Sequence, residues 1–456
     1  MCYIGLEFTE SRPLGATWAL DALWNRLGIG AATRRLIAGQ LEDSAERVLF
    51  ALVANRALAP SSKPAAARWV SEDVIISGLP TTTDDACYRV MCWLLEVKSA
   101  LETEISDRIT GLRDQELDLL FFDTAATYPE AGVSQVVGLA VTREGIPLRA
   151  WSWPGNIADS ALIRQVRADM WGWVPSRMAW VADRGGTSAE GRRYLREGGN
   201  DYIIGEKMRP GSAEAATALS QPGRYQKVTA NLRVKEVRVS ADERLILCHD
   251  TEGAERDAAL RAQQLAQLDE LIRDTDALSR DMRAEKLRGF TFPRHSRHGY
   301  LRITAGGRLR INAKAVRDGK NQDGKYLLRT SDPAMAAEDI ALSYRRLLDV
   351  ERSWRDMNQV IDLRPGHGRT EEGVRAHVLL CWLALLLARV AENACQDTWA
   401  RLHEELDRMA IGTFTGPAGV LRQRTEITSA QLSILAKLAI DPPPRICQFT
   451  PAASVR

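Results

Sequence analysis

The sequence predicts an α/β protein in which a mixed sheet is flanked by helices, with a helical domain before the sheet and a largely β subdomain inserted into it. Three patterns support this fold class. Apolar residues recur at helical spacing up to about residue 112, and short apolar strands then alternate with helices from 113 to 208. Alternating and β-branched segments follow from 209 to 330, before the helical spacing returns. We therefore expect five parts, at residues 1–112 (helical N-terminal domain), 113–208 (first part of the core), 209–330 (inserted β-rich subdomain), 331–412 (helical second part of the core) and 413–456 (C-terminal tail).

The composition is that of an ordinary folded protein. The chain has 456 residues, of which 45% are hydrophobic and 26% charged, and this length suits two or three domains. The net charge of +2 favours no class of partner by itself. The 7 cysteines include no CxxC pair, so neither a disulfide framework nor a zinc site is indicated, and we expect a reducing, cytoplasmic setting. The N-terminus has no basic region followed by an apolar one, so we expect no signal peptide.

The longest apolar run extends from Val378 to Ala388. A spanning helix needs about 20 apolar residues, and this run is shorter and is flanked by Arg375 and Arg389. We expect a buried core helix here and no membrane as a partner.

Two helical stretches are indicated in the N-terminal domain. Residues Glu42 to Ala57 have apolar side chains at helical spacing, and a second stretch opens near Thr83, a suitable N-cap, and continues to about Ile109. Prolines and serines between 60 and 64 separate the two. No group of catalytic residues is visible in this domain.

The core begins with a short apolar strand, LDLLFFDT, which we expect to end at Asp123. Two strands around a hairpin turn at Arg143-Glu144-Gly145 follow, and a later apolar strand is closed by Asp183. The remaining elements are helices over about 160–170 and 188–197 and a strand in DYIIGEKM. Two acidic residues therefore stand at strand ends, where α/β sheets present ligand sites.

The insertion and the segments after it complete the expected elements. Inside the insertion we expect several strands, a hairpin turn at Gly306-Gly307 and one helix over about 254–288. A long amphipathic helix then extends from Ala334 through Glu351 to Ile361, and another covers about 370–402. In the tail we expect a short helix near 429–439 and frayed chain after Pro444.

Asp123, Asp183 and Glu351 are the acidic residues that point to chemistry. They lie on separate elements, so their carboxylates can converge on hard divalent cations, which prefer oxygen ligands. Two such ions let one activate an attacking oxygen while the other stabilises the leaving oxygen of a phosphodiester. Each residue alone is as well explained by a helix cap, a turn cap or a surface carboxylate. The chain has no Walker A loop, so we expect no nucleotide cofactor.

Three segments carry a resemblance to a known family: FFDTAATYPE around Asp123, VADRGGTSAEGRRYLREGGNDYIIGEKMR around Asp183, and YRRLLDVERSWRDMNQVIDLRP around Glu351. In order, spacing and flanking sequence they resemble the acidic segments of bacterial insertion-sequence transposases of the DDE class, in the superfamily typified by insertion sequence four. The resemblance spans roughly residues 115 to 395. It implies an RNase H-like fold, DNA cleavage and strand transfer at the ends of the element, and two Mg²⁺ ions, with Mn²⁺ as a substitute, held by the three carboxylates. The DNA bound would be double-stranded, both as element ends and as target. Because two ends must be cut and joined in concert, we expect a homodimer on DNA.

The resemblance also assigns residues near the DNA. It implies that Tyr344, seven residues before Glu351, and the residue seven positions after Glu351 handle a phosphate. The later position is Asn358 here, where relatives have a basic residue. Four arginines are candidates to replace the missing charge, and a solvated basic helix face explains them equally well: Arg345, Arg346, Arg352 and Arg355.

Two alternative functions stay open. Asn358, together with Ala125, where relatives often have a hydroxyl residue, leaves room for an impaired DNA-binding remnant of a decayed element. An RNase H-like nuclease without strand transfer would use the same carboxylates. The long insertion favours the transposase, because a plain hydrolase needs no such platform.

A basic stretch in the insertion is the clearest candidate for DNA contact. Between Lys286 and Arg329 there are twelve lysines and arginines, opposed only by Asp318 and Asp323, with aromatic residues interleaved. Such a surface suits phosphate contact and base stacking, although a solvated β ribbon has the same composition. The candidate DNA-binding residues in this stretch are Arg294, Arg297, Arg308 and Arg310. Sequence-specific recognition of the element ends is assigned to the helical N-terminal domain by analogy alone.

Overall fold

The structure, a computed structural model, describes residues 5–42, 44–111, 119–127, 135–142, 144–157, 159–170, 179–182, 189–196, 200–206, 208, 213–221, 223–240, 243–287, 297–345 and 370–451. The fold is mixed α/β, with helices and several sheets. The chain divides into two compact units, Met1–Val181 with Arg345–Arg456, and Ala182–Tyr344.

The elements follow one another in four stretches. The first contains β1 (Glu7–Pro13), α1 (Gly15–Arg26), α2 (Ile29–Ile37), α3 (Ala45–Leu58), α4 (Lys63–Glu72), α5 (Asp84–Glu96) and α6 (Lys98–Gly111). The second contains β2 (Leu119–Thr127), β3 (Gln135–Val141), β4 (Pro147–Pro154), α7 (Asp159–Met170), β5 (Ala179–Ala182), α8 (Ala189–Arg196) and β6 (Asp201–Glu206). The third contains α9 (Ala213–Ser220), β7 (Gln226–Lys227), β8 (Leu232–Arg238), β9 (Arg244–Asp250), α10 (Thr251–Asp276), α11 (Arg280–Leu287), a 3-10 turn (Arg297–Tyr300), β10 (Leu301–Ile303), β11 (Leu309–Ile311), α12 (Ala313–Gln322) and β12 (Lys325–Thr330). The fourth contains α13 (337–345 within the described residues), α14 (Glu371–Cys395), α15 (Trp399–Asp407), β13 (Ala410–Gly416), β14 (Gly419–Arg424), α16 (Ser429–Lys437) and β15 (Ile446–Pro451).

Helices α3 and α14 form the core of the first unit. Residues Val48 to Ala54 of α3 and Val378 to Ala388 of α14 are each at most 4% exposed, and α14 packs against α3, α5 and β4. A helix that is apolar on all sides is stable only inside a protein or a membrane. By length and composition α14 is able to cross a bilayer, but 83% of its most apolar stretch is buried within the protein. The expected core helix is therefore confirmed.

Helix boundaries in the first unit follow local capping. Thr83 accepts a hydrogen bond from the backbone of Ala86, which confirms the expected N-cap of α5. The single stretch expected up to Ile109 is divided into α5 and α6 at Val97. The helix expected over 370–402 is likewise two helices, because α14 ends at Gln396 in a left-handed conformation with φ 57°.

The sheet of the first unit has the strand order β4-β3-β2-β5. Strands β2 and β3 pair antiparallel, as do β3 and β4. The turn between β3 and β4 closes with a hydrogen bond of 2.9 Å from the backbone of Gly145 to that of Thr142, and Gly145 has a φ of 75° that favours glycine. This confirms the expected hairpin, although Arg143 lies outside the described residues.

The two ends of the chain meet in a second sheet, with the order β1-β13-β14-β15 and antiparallel pairing throughout. The expectation of frayed chain after Pro444 is wrong, because Ile446–Pro451 pairs with β14. The expected short helix is confirmed as α16, which begins with a capping box between Thr428 and Gln431. The segment 413–456 therefore contains paired strands rather than a loose tail.

The second unit contains the antiparallel strand order β6-β12-β9-β8-β7. This unit covers more of the chain than the expected insertion at 209–330, because β6, which precedes that range, pairs with β12. The description "largely β" is wrong for the described part of that insertion, where α9 to α12 hold more residues than the strands. The segment after Asn312 illustrates the reason: Asn312 caps the backbone of Ala315, and a helix forms where an alternating strand was expected.

Candidate active site and nucleic-acid interface

Asp123 lies in the middle of a strand rather than at its end. Strand β2 continues to Thr127, and Asp123 pairs directly with Leu139 of β3. The expectation that Asp123 ends its strand is therefore wrong. The apolar run stops at Asp123, but Thr124 to Thr127 continue to pair along β3, and cross-strand pairing outweighs the change in polarity.

Strand β5 leads to the position of the second acidic residue. It is hydrogen-bonded next to β2 in the strand order, and Ala179, Trp180 and Val181 are at most 4% exposed. The strand ends at Ala182, one residue before Asp183 in the sequence. Asp123 is therefore a residue of β2, and Asp183 follows the neighbouring strand β5 in the sequence.

The rest of the predicted carboxylate site is outside the described residues. This holds for Asp183, Glu351, Arg352, Arg355 and Asn358. Their convergence with Asp123 stays a prediction. Within the part of the chain that the structure describes, no three His, Cys, Asp or Glu side chains gather in a group that could hold a metal ion.

Tyr344 of α13 is buried within the second unit, at 4% exposure. Its ring stacks on Tyr326 of β12, with ring centroids 5.9 Å apart and an angle of 27° between the planes. Its hydroxyl lies over Gly205 of β6, where a Cβ would overlap it. The observed contacts fix α13 against β6 and β12, and the predicted phosphate contact of Tyr344 stays a prediction.

A buried charge network lies beside this contact and was missed at the level of sequence. Arg329 is 5% exposed and donates to Glu206 at 2.6 Å and to Glu243 at 2.7 Å. Burial by itself raises the pKa of Glu243, but hydrogen bonds from Tyr202 and Arg329 outweigh it and lower the pKa below the ordinary value. Counting Arg329 with the basic DNA surface is therefore wrong, since a buried, doubly paired guanidinium is not available to phosphate.

A second buried network supports the sheet of the first unit. Glu102 of α6 is fully buried and accepts from Arg149 of β4 at 2.9 Å, and Lys98 lies 3.4 Å from the other carboxylate oxygen. Arg149 also donates to the backbone carbonyl of Asp169, at the end of α7. Burial raises the pKa of Glu102, and the charges of Lys98 and Arg149 offset only part of this effect. These contacts tie α6 and α7 to the edge of the sheet.

The hairpin β10–β11 presents the exposed part of the basic stretch. Its turn at Gly306-Gly307 confirms the prediction, and Gly307 has a φ of 71°. Arg302 and Arg308 are exposed, whereas Arg310 is half-buried and forms an ion pair with Asp276 at 2.8 Å. Of the other predicted contacts, Arg294 lies outside the described residues, as does the side chain of Arg297.

A small apolar core holds this hairpin in place. Leu301 and Leu309, one on each strand, are buried against Leu268 of α10. The following helix, α12, adds exposed basic side chains to the same basic stretch: Lys314, Arg317 and Lys320. Because its underside is anchored, the hairpin can present Arg302 and Arg308 at a fixed position.

Comparison with known proteins does not show which family this chain belongs to. No protein-family model matches the sequence, and no curated protein matches it. Among solved structures, the chain is similar to a piggyBac transposase in a synaptic complex with hairpin DNA, determined by cryo-EM. The two share 8% identity at a TM-score of 0.38, over 88% of this chain and 82% of that chain. So low a TM-score does not establish a shared fold.

Proposed function

We propose that the chain is a DDE-class DNA transposase that cuts and joins DNA at the ends of its own insertion sequence, on an RNase H-like core. One observation carries the proposal: Asp123 lies on β2, and its neighbour β5 ends immediately before Asp183. Neighbouring strands are about 4.8 Å apart, so side chains near them are able to share an ion. The antiparallel β2–β3–β4 meander beside β5 agrees with the hairpin-edged sheet that the resemblance implies.

The proposed donor set is Asp123, Asp183 and Glu351. Three carboxylates without cysteine or histidine suit Mg²⁺, or Mn²⁺ in its place, because these hard cations prefer oxygen ligands. When bound, a pair of such ions would supply activation of the attacking oxygen and stabilisation of the leaving oxygen. The chain would hold three carboxylates close together, and the positive charge of the bound ions would offset the repulsion between them.

The proposed DNA surface is the hairpin β10–β11 together with α12. Its exposed arginines and lysines suit the backbone of double-stranded DNA, and binding of this kind depends on salt rather than on sequence. Closer to the carboxylates we assign Arg352, Arg355 and Asn358 to the DNA strand near the cut, whereas the buried Tyr344 would hold α13 against β6 and β12. Two ends must be cut and joined together, so we propose a homodimer on DNA.

Incubation with Mg²⁺ or Mn²⁺, a DNA carrying the element's own ends and a target plasmid separates the candidate functions. The transposase gives joined products. A nuclease without strand transfer gives cut but unjoined DNA. A decayed remnant, the candidate suggested by Asn358 and Ala125, binds the ends and leaves them intact.

A further inference from the structure

The sheet β1-β13-β14-β15 has two chemically different faces. Direct cross-strand pairing places Phe8, Phe414, Leu421 and Phe449 in one row that crosses all four strands. Directly paired residues point to the same face of a sheet. Ile446 lies on this face too, because it pairs with Gln423, two residues after Leu421. We call this side of the sheet the uncharged face.

The charged side chains of the four strands all belong to the other face. They pair with Ile411, Thr413 or Thr415, which alternate with Phe414 along β13, and they are Glu7, Glu10, Arg12, Arg422 and Arg424. Their contacts agree with this register: Glu10 accepts from Arg12 at 2.7 Å, and the hydroxyl of Thr413 is within 3.4 Å of Glu10. Ile411 and Thr413 are buried, so this second face is the one packed against the protein.

The uncharged face is exposed at its two edges, where Phe8 is 58% exposed, Ile446 58% and Phe449 53%. Phe414 and Leu421, between them, are half-buried. The rings of Phe8 and Phe414 meet edge to face, with centroids 5.6 Å apart, and a Cβ at Gly412 would come within 3.1 Å of Phe414 and 3.5 Å of Phe8. Single exposed apolar residues are common on proteins, but a continuous apolar row with three aromatic rings marks an interaction surface.

We propose that the uncharged face binds a second copy of this chain, face to face, about a two-fold axis between β13 and β14. The row is Phe, Phe, Leu, Phe from one edge to the other, so a two-fold axis at its centre sets Phe8 against the partner's Phe449. A two-fold interface must be complementary to itself, and a face without charge meets its copy without like-charge repulsion. Interface cores are depleted in charge and enriched in aromatic residues.

The absence of charge on this face also argues against a nucleic acid as the occupant. A single strand needs cations along its phosphates beside the rings that stack on its bases. The arginines of these strands, Arg12, Arg422 and Arg424, lie on the opposite face. The inference rests on the proposed function for its purpose, since it supplies the interface of the homodimer that would pair two element ends.

Sedimentation and light scattering of the full chain without DNA or metal measure this association. The wild type is expected to form dimers whose fraction rises with concentration. Phe449→Lys is expected to weaken the dimer by roughly 30-fold or more, because it removes an aromatic contact and brings an unpaired charge into the interface. The matched control is Tyr88→Lys, which changes an aromatic residue of α5 that is 48% exposed and should leave association unchanged. Circular dichroism checks that each variant is folded.

Paired charges test the two-fold arrangement itself. Phe8→Lys alone should dissociate the dimer, and adding Phe449→Glu should restore it at low salt, because each new lysine faces a new glutamate of the other copy. Added salt should weaken the restored dimer more than the wild type. A control that combines Phe8→Lys with Phe449→Lys should stay monomeric.

A wild type that stays monomeric, single variants that stay dimeric, or a charge pair that restores nothing would each overturn the inference. A monomeric wild type whose binding to a single-stranded oligonucleotide falls with Phe449→Glu would assign the face to nucleic acid instead. DNA cleavage is measured separately. Cleavage without this dimer refutes the interface alone, and a dimer without cleavage refutes the proposed function alone.

Discussion

At the residue scale, Glu46 is a buried carboxylate whose two oxygens are both hydrogen-bonded. It is 2% exposed, and it accepts from Trp24 at 2.7 Å and from Arg47 at 2.6 and 2.8 Å. Burial by itself raises the pKa of Glu46, but the hydrogen bonds from Arg47 and Trp24 and the charge of Arg34 outweigh it and hold the pKa below the ordinary 4.5. The ionised form of Glu46 is therefore the form that stabilises the fold.

Glu46→Gln is expected to lower the stability of the first unit most at neutral pH. A carboxyl whose folded pKa is depressed contributes stability above its unfolded pKa, and this is lost as the pH falls through the folded pKa. The loss at pH 7 should be about 1–3 kcal/mol, as for a buried charged hydrogen bond. The difference between the thermal-unfolding midpoints should be clear at neutral pH and shrink as the pH falls through the folded pKa of Glu46. A difference that stays equal from neutral to acidic pH would contradict this account, and Glu72→Gln, on the surface, is the control.

Asn358→Lys is expected to raise cleavage or strand transfer. If Asn358 approaches the DNA near the carboxylates, a lysine adds a positive charge beside a phosphate, an interaction that is strongest where water is excluded. The gain measured in a cleavage assay should shrink as salt screens the charge. The effect of Ala125→Thr, the other departure from the family pattern, should be largely independent of salt. Unchanged rates at low salt would show that Asn358 does not face the DNA or that a neighbouring arginine fills the role.

Single side-chain environments were the least predictable feature of the sequence. Arg329 and Arg308 are both arginines in one basic stretch, yet Arg329 is buried between two glutamates and Arg308 is exposed. Their difference depends on β6 and on Glu243, which are distant in sequence. Residue type predicts charge, whereas burial depends on which strands pair.

At the element scale, the contact between α13 and β6 depends on a missing side chain. The hydroxyl of Tyr344 occupies the space that a Cβ of Gly205 would need. Gly205→Ala should therefore destabilise the second unit by about 1–3 kcal/mol, a typical cost of overpacking. Gly306→Ala is the matched control, because a Cβ at this turn position would make only an ordinary contact of 4.0 Å with the hydroxyl of Thr304.

Combining Gly205→Ala with Tyr344→Phe tests whether the overlap is the cause. Loss of the hydroxyl relieves part of the clash, so the double variant should lose less stability than the sum of the two single variants. Urea unfolding measures the three free energies of unfolding. Additive losses would mean that the two residues do not interact.

The hairpin β10–β11 should contribute salt-dependent affinity for DNA. Arg302→Ala with Arg308→Ala removes two exposed charges, and each lost phosphate contact lowers the slope of log affinity against log salt by about 0.9. Binding to duplexes of unrelated sequence should weaken to the same degree. Arg401→Ala is the control, since its side chain is 78% exposed on α15 of the first unit. A slope identical to that of the wild type would exclude this hairpin from the DNA surface.

Local signals predicted elements well and their partners poorly. Helical spacing and caps indicated α3, α5, α7, α8, α14 and α16, and glycines indicated both hairpin turns. The strand β1 was missed because its sequence, EFTESRP, is polar and its partner β13 lies at the other end of the chain. A strand stabilised by so distant a partner leaves little trace in its own composition.

At the scale of the whole molecule, the sequence predicted the mixed α/β class, but not that the terminal strands pair. The site itself was predicted from three short segments. Of its three acidic residues the structure describes only Asp123, and only by its place in β2. The resemblance, the neighbouring strands β2 and β5 and the exposed basic hairpin all fit the function we propose, which is metal-dependent cleavage and joining of DNA.

The most direct test of this claim is a cleavage and strand-transfer assay of the wild type and of Asp183→Asn, in Mg²⁺, on DNA carrying the element's ends. The amide keeps the shape of the side chain and removes the charge that holds a divalent cation, so the variant should bind the DNA with unchanged affinity. Asp441→Asn, an exposed carboxylate after α16 and outside the proposed DNA surface, is the control and should cleave as the wild type does. The account predicts cut and joined products from the wild type and none from Asp183→Asn. Cleavage by Asp183→Asn in Mg²⁺ at the rate of the wild type would contradict it.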